Sequence, residues 1–266
     1  MTEGRKLVLL MIATVFLIGL IFWLIGPIRE EGRNALGGLL SGSLRGTIQR
    51  QGPQQVISLD KSYKAILKTD QGDITIELYT KNAPSTVNNF VYLSKTGFYD
   101  GSYFHRVVEK FVIQAGKNKN GQEPSYVIPD EINADSLGLD DIKVKDAIWL
   151  KDVYNPEDKS TQAFSPENLE KYKDYTIKQF YKEVFKYTYR TDVVSRKAEK
   201  WSVGMANNGP NSARSQFFII TYSSQPHLDG RYTIFGKVAE GFDVVKRIES
   251  LGENKAKILD VEIVES

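Results

Sequence analysis

Hydrophobic and polar positions alternate with a period of two soon after residue 62. Ile74, Ile76 and Leu78 alternate with polar neighbours, and the polar segment TDQGD lies just before them. Alternation next to a glycine-containing turn is typical of a β-hairpin, because successive side chains of a strand point to opposite faces. The pattern therefore predicts a hairpin over residues 63–79, close to the start of a folded domain.

The period becomes helical in the next segment, NAPSTVNNFVYLSKTG. Val87, Phe90 and Val91 fall on one face of a helix. Pro84 suits the first helical position, and Gly97 suits the end. A second short helix is predicted at GFDVVKRIESLG, near the C-terminus.

Further strands are predicted at SYFHRVV, KFVIQAG, SQFFIITY, YTIFGKV and ILDVEIVE. These segments are short and rich in β-branched and aromatic residues, as strands are. Many short strands together with two helices favour a mainly β protein. We expect a closed antiparallel barrel that the two helices cap.

Residues 138–200 differ in composition, since they are rich in Lys and Tyr. Ser165 and Pro166 form a helix start, and the apolar residues that follow repeat at helical spacing: Ile177, Phe180, Tyr181, Val184 and Phe185. We interpret this segment as a helical insertion in the barrel. The sequence leaves three roles open for the helix of the insertion. It packs on the barrel, it forms a platform that recruits client proteins, or it binds a membrane surface through the lysines of its polar face: Lys171, Lys178, Lys182 and Lys186.

The N-terminal segment has a separate character. Residues 7–28 carry no charge, and at roughly 1.5 Å per residue a helix of this length spans about 30 Å, the thickness of the hydrocarbon layer. No small-residue cleavage site follows, so a retained transmembrane anchor is favoured over a cleaved signal peptide. The predicted organisation is a short head at 1–6, the anchor, a flexible linker at 29–61, and a domain at 62–266 on the extracytoplasmic side.

Composition excludes several classes of function. The chain has 35 basic and 33 acidic residues, a net charge of +2, which argues against a nucleic-acid-binding protein. It has no Cys and two His, so thiolate chemistry and cysteine metal sites are excluded. No complete phosphate-binding loop is present. We therefore expect neither a cofactor nor a metal.

Two long segments carry a family resemblance. These are YFHRVVEKFVIQAG and VGMANNGPNSARSQFFIITYSSQPHLDGRYTIFGKV, and IPDEINAD agrees with them. Together they resemble the cyclophilin family of peptidyl-prolyl isomerases over roughly residues 63–265, apart from the insertion. The resemblance implies a closed eight-stranded barrel with a hydrophobic peptide groove on its outer face, and proline-containing segments of client proteins as substrates.

The resemblance also implies the site residues. Arg106 matches the catalytic arginine, with Gln114 and Phe111 as its catalytic companions. The positions that match substrate-binding residues are Val112, Ala206, Asn207, Asn208, Gln216, Phe218, His227, Leu228 and Tyr232. A guanidinium beside an apolar slot suits X–Pro rotation, because the twisted amide nitrogen regains a lone pair that a charged donor can bind.

Four positions depart from the family pattern. His227 stands where a tryptophan is common, Tyr232 replaces a frequent histidine, Asn208 replaces a smaller residue, and Val112 replaces a methionine. We expect these changes to weaken binding of a cyclosporin-class ligand and to alter the sequence preference. A membrane-tethered folding catalyst is the leading interpretation. A non-catalytic proline-peptide binding module or scaffold is the alternative.

Overall fold

The structure, a computed structural model, describes residues 52–266. The predicted head at 1–6, the predicted membrane span at 7–28 and the first part of the predicted linker, 29–51, lie outside the described residues. Within residues 52–266, no helix combines the length and the apolar character that crossing a membrane requires.

Eight antiparallel strands form one curled sheet in the described part of the chain. Its spatial order is β3-β4-β6-β5-β7-β2-β1-β8. The strands are β1 Tyr63–Thr69, β2 Gly72–Leu78, β3 Arg106–Val108, β4 Val112–Ala115, β5 Ser202–Met205, β6 Phe217–Ile220, β7 Ile234–Glu240 and β8 Ile258–Glu265. The predicted hairpin is confirmed: β1 pairs with β2, and Gly72 takes the positive φ of 120° that its turn requires.

The prediction of a closed barrel is wrong, because β3 and β8 are free edges and the sheet is a half-barrel. Four backbone hydrogen bonds join residues 101–104, which precede β3, to residues 254–258, which end at the first residue of β8. Beyond that point the Val107 and Lys110 N–H groups donate to the carboxylates of Glu253 and Glu249, at 3.4 and 2.8 Å. Side chains therefore satisfy donors that a closed ladder would have used.

Both predicted helices pack on this sheet. Helix α1 spans Pro84–Lys95, and its Phe90 ring lies 5.4 Å from that of Phe217 and 5.3 Å from that of Phe235. The C-terminal helix spans Phe242–Leu251 and is called α4, since the insertion contains α2 and α3. It contributes Val245 and other apolar residues to the same core. The core thus fills the concave face of the sheet.

The N-terminus of α1 is capped from a distant segment. Ala83 occupies the cap position and provides no side-chain acceptor. The buried carboxylate of Glu131 accepts hydrogen bonds from the backbone N–H groups of Ser85 and Thr86, at 3.0 and 2.7 Å. Arg190 donates to the same carboxylate at 3.3 Å. Glu131 therefore satisfies helix donors that would otherwise be unpaired, and its charge suits the positive end of the helix dipole.

The insertion forms its own apolar cluster, centred on the buried Leu150, Phe164, Phe180 and Tyr181. Its elements are 3₁₀ helices at Val144–Asp146, Ile148–Val153 and Lys159–Phe164, then α2 at Pro166–Lys171 and α3 at Ile177–Phe185. The predicted start at Ser165 is confirmed, since its side chain accepts from the N–H of Asn168. The predicted apolar face of α3 packs mainly within the insertion.

Of the four lysines predicted to face a membrane surface, Lys178 makes two close ion pairs, whereas Lys186 lies 3.9 Å from Glu183. Lys178 lies between Asp135 and Asp140, with Nζ 2.8 Å from the Asp140 carboxylate. Its side chain is also only 23% exposed. Lys178 is therefore not available to bind a membrane surface, as one interpretation of the insertion required.

Candidate active site

A second apolar cluster lies on the face of the sheet opposite the core. Side chains alternate along β4 and β6, so Ile113 and Phe217 enter the core while Val112 and Phe218 lie on the outer face. Leu228, from the 3₁₀ helix Pro226–Leu228, joins the outer cluster. Val112, Phe218 and Leu228 therefore form an apolar floor on the outer face of the sheet.

A cavity of about 240 Å³ opens above this floor, and we call it the proline cavity. The structure brings every predicted site residue except His227 into its lining: Arg106, Phe111, Val112, Gln114, Ala206, Asn207, Asn208, Gln216, Phe218, Leu228 and Tyr232. Three further lining residues were missed by sequence reasoning: Glu123, Ser212 and Arg214. Their polar identity is common on any surface, so no local pattern distinguishes them.

Arg106 is exposed at the start of β3, directly opposite Gln114 in the register of β3 and β4. Its guanidinium makes one long hydrogen bond, 3.5 Å, to Oε1 of Gln114. Among the described residues it forms no ion pair. Most of its donors therefore remain available to a peptide, whereas a structural arginine would have spent them on a carboxylate.

A chain of amides fixes the position of Gln114. Its Nε2 donates to Oε1 of Gln216 at 2.9 Å, and Nε2 of His105 lies 2.9 Å from the same oxygen. Burial lowers the pKa of His105. The neutral imidazole of His105 thus binds the Gln216 amide, and the Gln216 amide accepts a hydrogen bond from Gln114. Gln114 in turn accepts a hydrogen bond from Arg106.

Phe111, Val112, Phe218 and Leu228 provide the apolar walls. The Phe218 side chain is buried, and its ring meets the ring of Tyr232 edge-on at 5.5 Å between centroids. Tyr232 therefore packs against the slot, as a histidine at this position could not do with equal area. The walls can exclude water from a ring of the size of proline.

Asn207 uses its side chain to shape the loop. Its Nδ2 donates to the Arg231 carbonyl at 2.8 Å, and its Oδ1 accepts from the Gly209 N–H at 3.1 Å. The neighbouring Ala206 N–H donates to the Gln216 carbonyl at 2.8 Å. Contact between Asn207 and a peptide would therefore rely on its backbone.

His227 is half-buried and does not line the cavity. Its ring stacks on Phe111, with centroids 5.7 Å apart and an angle of 30° between the planes. Burial, and then the nearby Arg231 charge, lower its pKa to about 4. The imidazole is neutral at physiological pH and supports the Phe111 wall by packing.

Gly204 is a site residue that sequence reasoning missed. It lies on β5 opposite Phe218, and a Cβ there would stand 2.4 Å from Cζ of the Phe218 ring. The absence of a side chain leaves the space that the end of that ring occupies. A glycine within a strand pattern is the signal that could have shown it.

We expect Gly204→Ala to lower kcat/KM for an X–Pro peptide by about tenfold and to destabilise the fold by about 1–3 kcal/mol, because the Phe218 ring must move into the slot. Peptide turnover and thermal unfolding measure both effects. Gly52→Ala is the control, since a Cβ added there would meet no atom within 4 Å. Wild-type turnover and melting in Gly204→Ala would contradict this account of the slot.

The fold and the cavity together define a class: a curled β-sheet protein with an apolar slot for one small ring and a free guanidinium beside it. Comparison with known proteins agrees. Residues 64–266 match the family model described as cyclophilin type peptidyl-prolyl cis-trans isomerase/CLD. The chain belongs to this family, and membership supports isomerase activity for the matched domain.

Individual relatives bear the same description. The chain is 35% identical over 189 residues to peptidyl-prolyl cis-trans isomerase-like 3 of Gallus gallus, covering 71% of this chain and 83% of the relative. It is 35% identical over 207 residues to peptidyl-prolyl cis-trans isomerase 9 of Schizosaccharomyces pombe, covering 75% of this chain but only 25% of that relative's length. A crystal structure of a Cryptosporidium parvum cyclophilin type isomerase aligns at 25% identity and a TM-score of 0.49, covering 76% and 98% of the two chains.

Proposed function

We propose that this chain accelerates rotation about X–Pro bonds in unfolded segments of client proteins, with Arg106 as the residue that binds the twisted amide. The observation that carries the proposal is the exposed Arg106 guanidinium, free of ion pairs among the described residues, at the edge of a cavity with an apolar floor. A charged donor and an apolar floor for the proline ring, the two parts of the required chemistry, thus lie side by side.

The physical problem is amide resonance. Rotation passes through a state in which the C–N bond loses its double-bond character, at a barrier of about 18–20 kcal/mol. In that state the prolyl nitrogen regains a lone pair. A guanidinium donor placed near this nitrogen binds the twisted state more strongly than either planar state. Each tenfold acceleration requires about 1.4 kcal/mol of such differential binding.

The slot and the amide chain supply the remaining requirements. Phe111, Phe218 and Leu228 would hold the proline ring while the preceding residue turns. Gln114 would orient Arg106, since it contacts the guanidinium and is itself fixed by Gln216. The reaction breaks no covalent bond, so it needs no nucleophile from this site.

We further propose that the domain acts as a membrane-tethered folding catalyst on the extracytoplasmic side. The support is the uncharged run at residues 7–28. Alkaline extraction of membranes that contain the full chain tests the tether, and protease added to intact cells tests the side. Release of the chain from the membrane pellet, or complete protection from protease, would contradict the respective part.

The alternative is a proline-peptide holder whose turnover is incidental. His227 favours it, because an imidazole that stacks on Phe111 is smaller than an indole and changes how that wall holds a ligand. For the same reason we expect a cyclosporin-class ligand to inhibit weakly. A protease-coupled turnover assay on an X–Pro peptide, with the full chain, separates the two. Turnover well above the uncatalysed rate supports the enzyme, whereas peptide binding without turnover supports the holder.

A further inference from the structure

Arg231 occupies an unusual position between the sheet domain and the insertion. Its guanidinium carbon lies 4.7 Å from the ring centroid of Phe185 and 5.1 Å from that of Phe164, both in the insertion. It also lies 5.8 Å from the ring of Tyr232, which lines the proline cavity. Aromatic faces attract a cation and restrict where its planar group can lie.

No carboxylate neutralises this guanidinium among the described residues. Its Nε is buried and has no hydrogen-bond partner there. The backbone at this position is nevertheless fixed, because the Arg231 carbonyl accepts from Oη of Tyr187 at 3.0 Å and from Nδ2 of Asn207 at 2.8 Å. A positioned, half-buried cation without a counter-charge is costly, and a ligand carboxylate at the part of the guanidinium that lines a cavity would offset its charge.

Arg231 also lines a second cavity, of about 560 Å³, which we call the flanking cavity. Phe185 and Tyr187 form its wall on the insertion side. Asn207, Asn208 and Tyr232 line both this cavity and the proline cavity. A peptide that places proline in the first cavity therefore has a neighbouring residue within reach of the second.

We propose that the flanking cavity is a specificity subsite that binds an acidic side chain, Asp or Glu, close to the isomerised proline of the client. Arg231 binds the carboxylate, and the insertion supplies the aromatic wall that holds Arg231 in place. The proposal deepens the proposed function and rests on it. It also gives the insertion a role in substrate choice.

A peptide series tests the subsite with the full chain. Each peptide carries one proline, and Glu or its neutral isostere Gln is placed in turn at each of the three positions before and after it. We expect one position at which Glu raises kcat/KM about tenfold over Gln, mainly through KM, with the ratio falling at high salt. In Arg231→Gln the ratio should collapse towards one, and Arg231→Lys should keep part of it.

Arg196→Gln is the matched control, because its guanidinium also lies over an aromatic ring, 5.0 Å from that of Tyr79, but lines neither cavity. It should keep the wild-type ratio.

A ratio near one at every position in the wild type, or an unchanged ratio in folded Arg231→Gln, overturns the subsite while turnover of the neutral peptides upholds the isomerase. Absence of turnover with every peptide refutes the proposed function instead, and equilibrium binding of the same Glu and Gln peptides then decides the subsite. If Arg231→Gln does not fold, Arg231→Lys and the salt dependence decide it, since a salt-independent ratio overturns it.

Discussion

Arg106→Ala is expected to lower kcat/KM for an X–Pro peptide by about 100- to 1000-fold, the usual cost of removing a donor that acts in the transition state. The guanidinium is exposed and makes only a long bond to Gln114, so the fold should melt at the wild-type temperature. Protease-coupled turnover and thermal unfolding measure the two quantities. A large loss of rate without a loss of stability separates a catalytic residue from a structural one.

Two further variants sharpen this result. Arg106→Lys keeps the charge but loses the fork of donors, and should recover only a small part of the rate. Arg247→Ala removes an exposed arginine of α4 that bonds to Asp243 and lies outside the proline cavity, and should leave turnover unchanged. Turnover of Arg106→Ala within about threefold of the wild type would rule out Arg106 as the group that binds the twisted amide.

Glu131→Ala is expected to lower the free energy of unfolding by about 3 kcal/mol. The substitution leaves the N–H groups of Ser85 and Thr86 without their acceptor inside the protein, and it deprives Arg190 of one carboxylate. For a domain of this size, such a loss lowers the melting temperature by roughly 6–12 °C. Thermal and urea unfolding of the full chain provide the measurement.

The size of this effect depends on burial, which a matched pair of controls can test. Glu131→Gln keeps one acceptor oxygen and should cost about half as much. Glu262→Ala removes an exposed carboxylate that pairs with Lys68 at 2.7 Å, and should leave the melting temperature unchanged. Equal melting temperatures for Glu131→Ala and Glu262→Ala would show that the distant cap contributes little.

Local patterns predicted the elements of the fold well. The hairpin, α1, α4 and the strands were recognisable because periodicity, Pro84 and the turn glycines act over a few residues. Closure of the barrel was not predictable in this way. Closure requires the N–H groups of Val107 and Lys110 to hydrogen-bond to another strand. In the structure they donate instead to the carboxylates of Glu253 and Glu249, which lie about 140 residues away in the sequence.

The site residues also fall into two groups: those that contiguous motifs predicted and those that only contacts between distant segments define. Family-like motifs placed Arg106, Phe111 and Gln114 in one site, and the structure sets them around one cavity. The roles of Gly204 and Arg231 could not be predicted, since each is defined by a neighbour from another segment: the Phe218 ring for the first and the Phe185 ring for the second. The alternation of faces along β4 and β6 decided which apolar residues form the slot.

The amino-acid sequence alone determined the β-rich domain, its helices, the insertion and the arginine-centred motif, because these are encoded in short periods and contiguous segments. Only the tertiary structure decided the open sheet, the capping of α1 by Glu131, the stacking of His227 on Phe111, and the cavity that Arg231 shares with the insertion. Each of these depends on atoms brought together from distant positions, and the gain from such contacts appears only once the chain is folded.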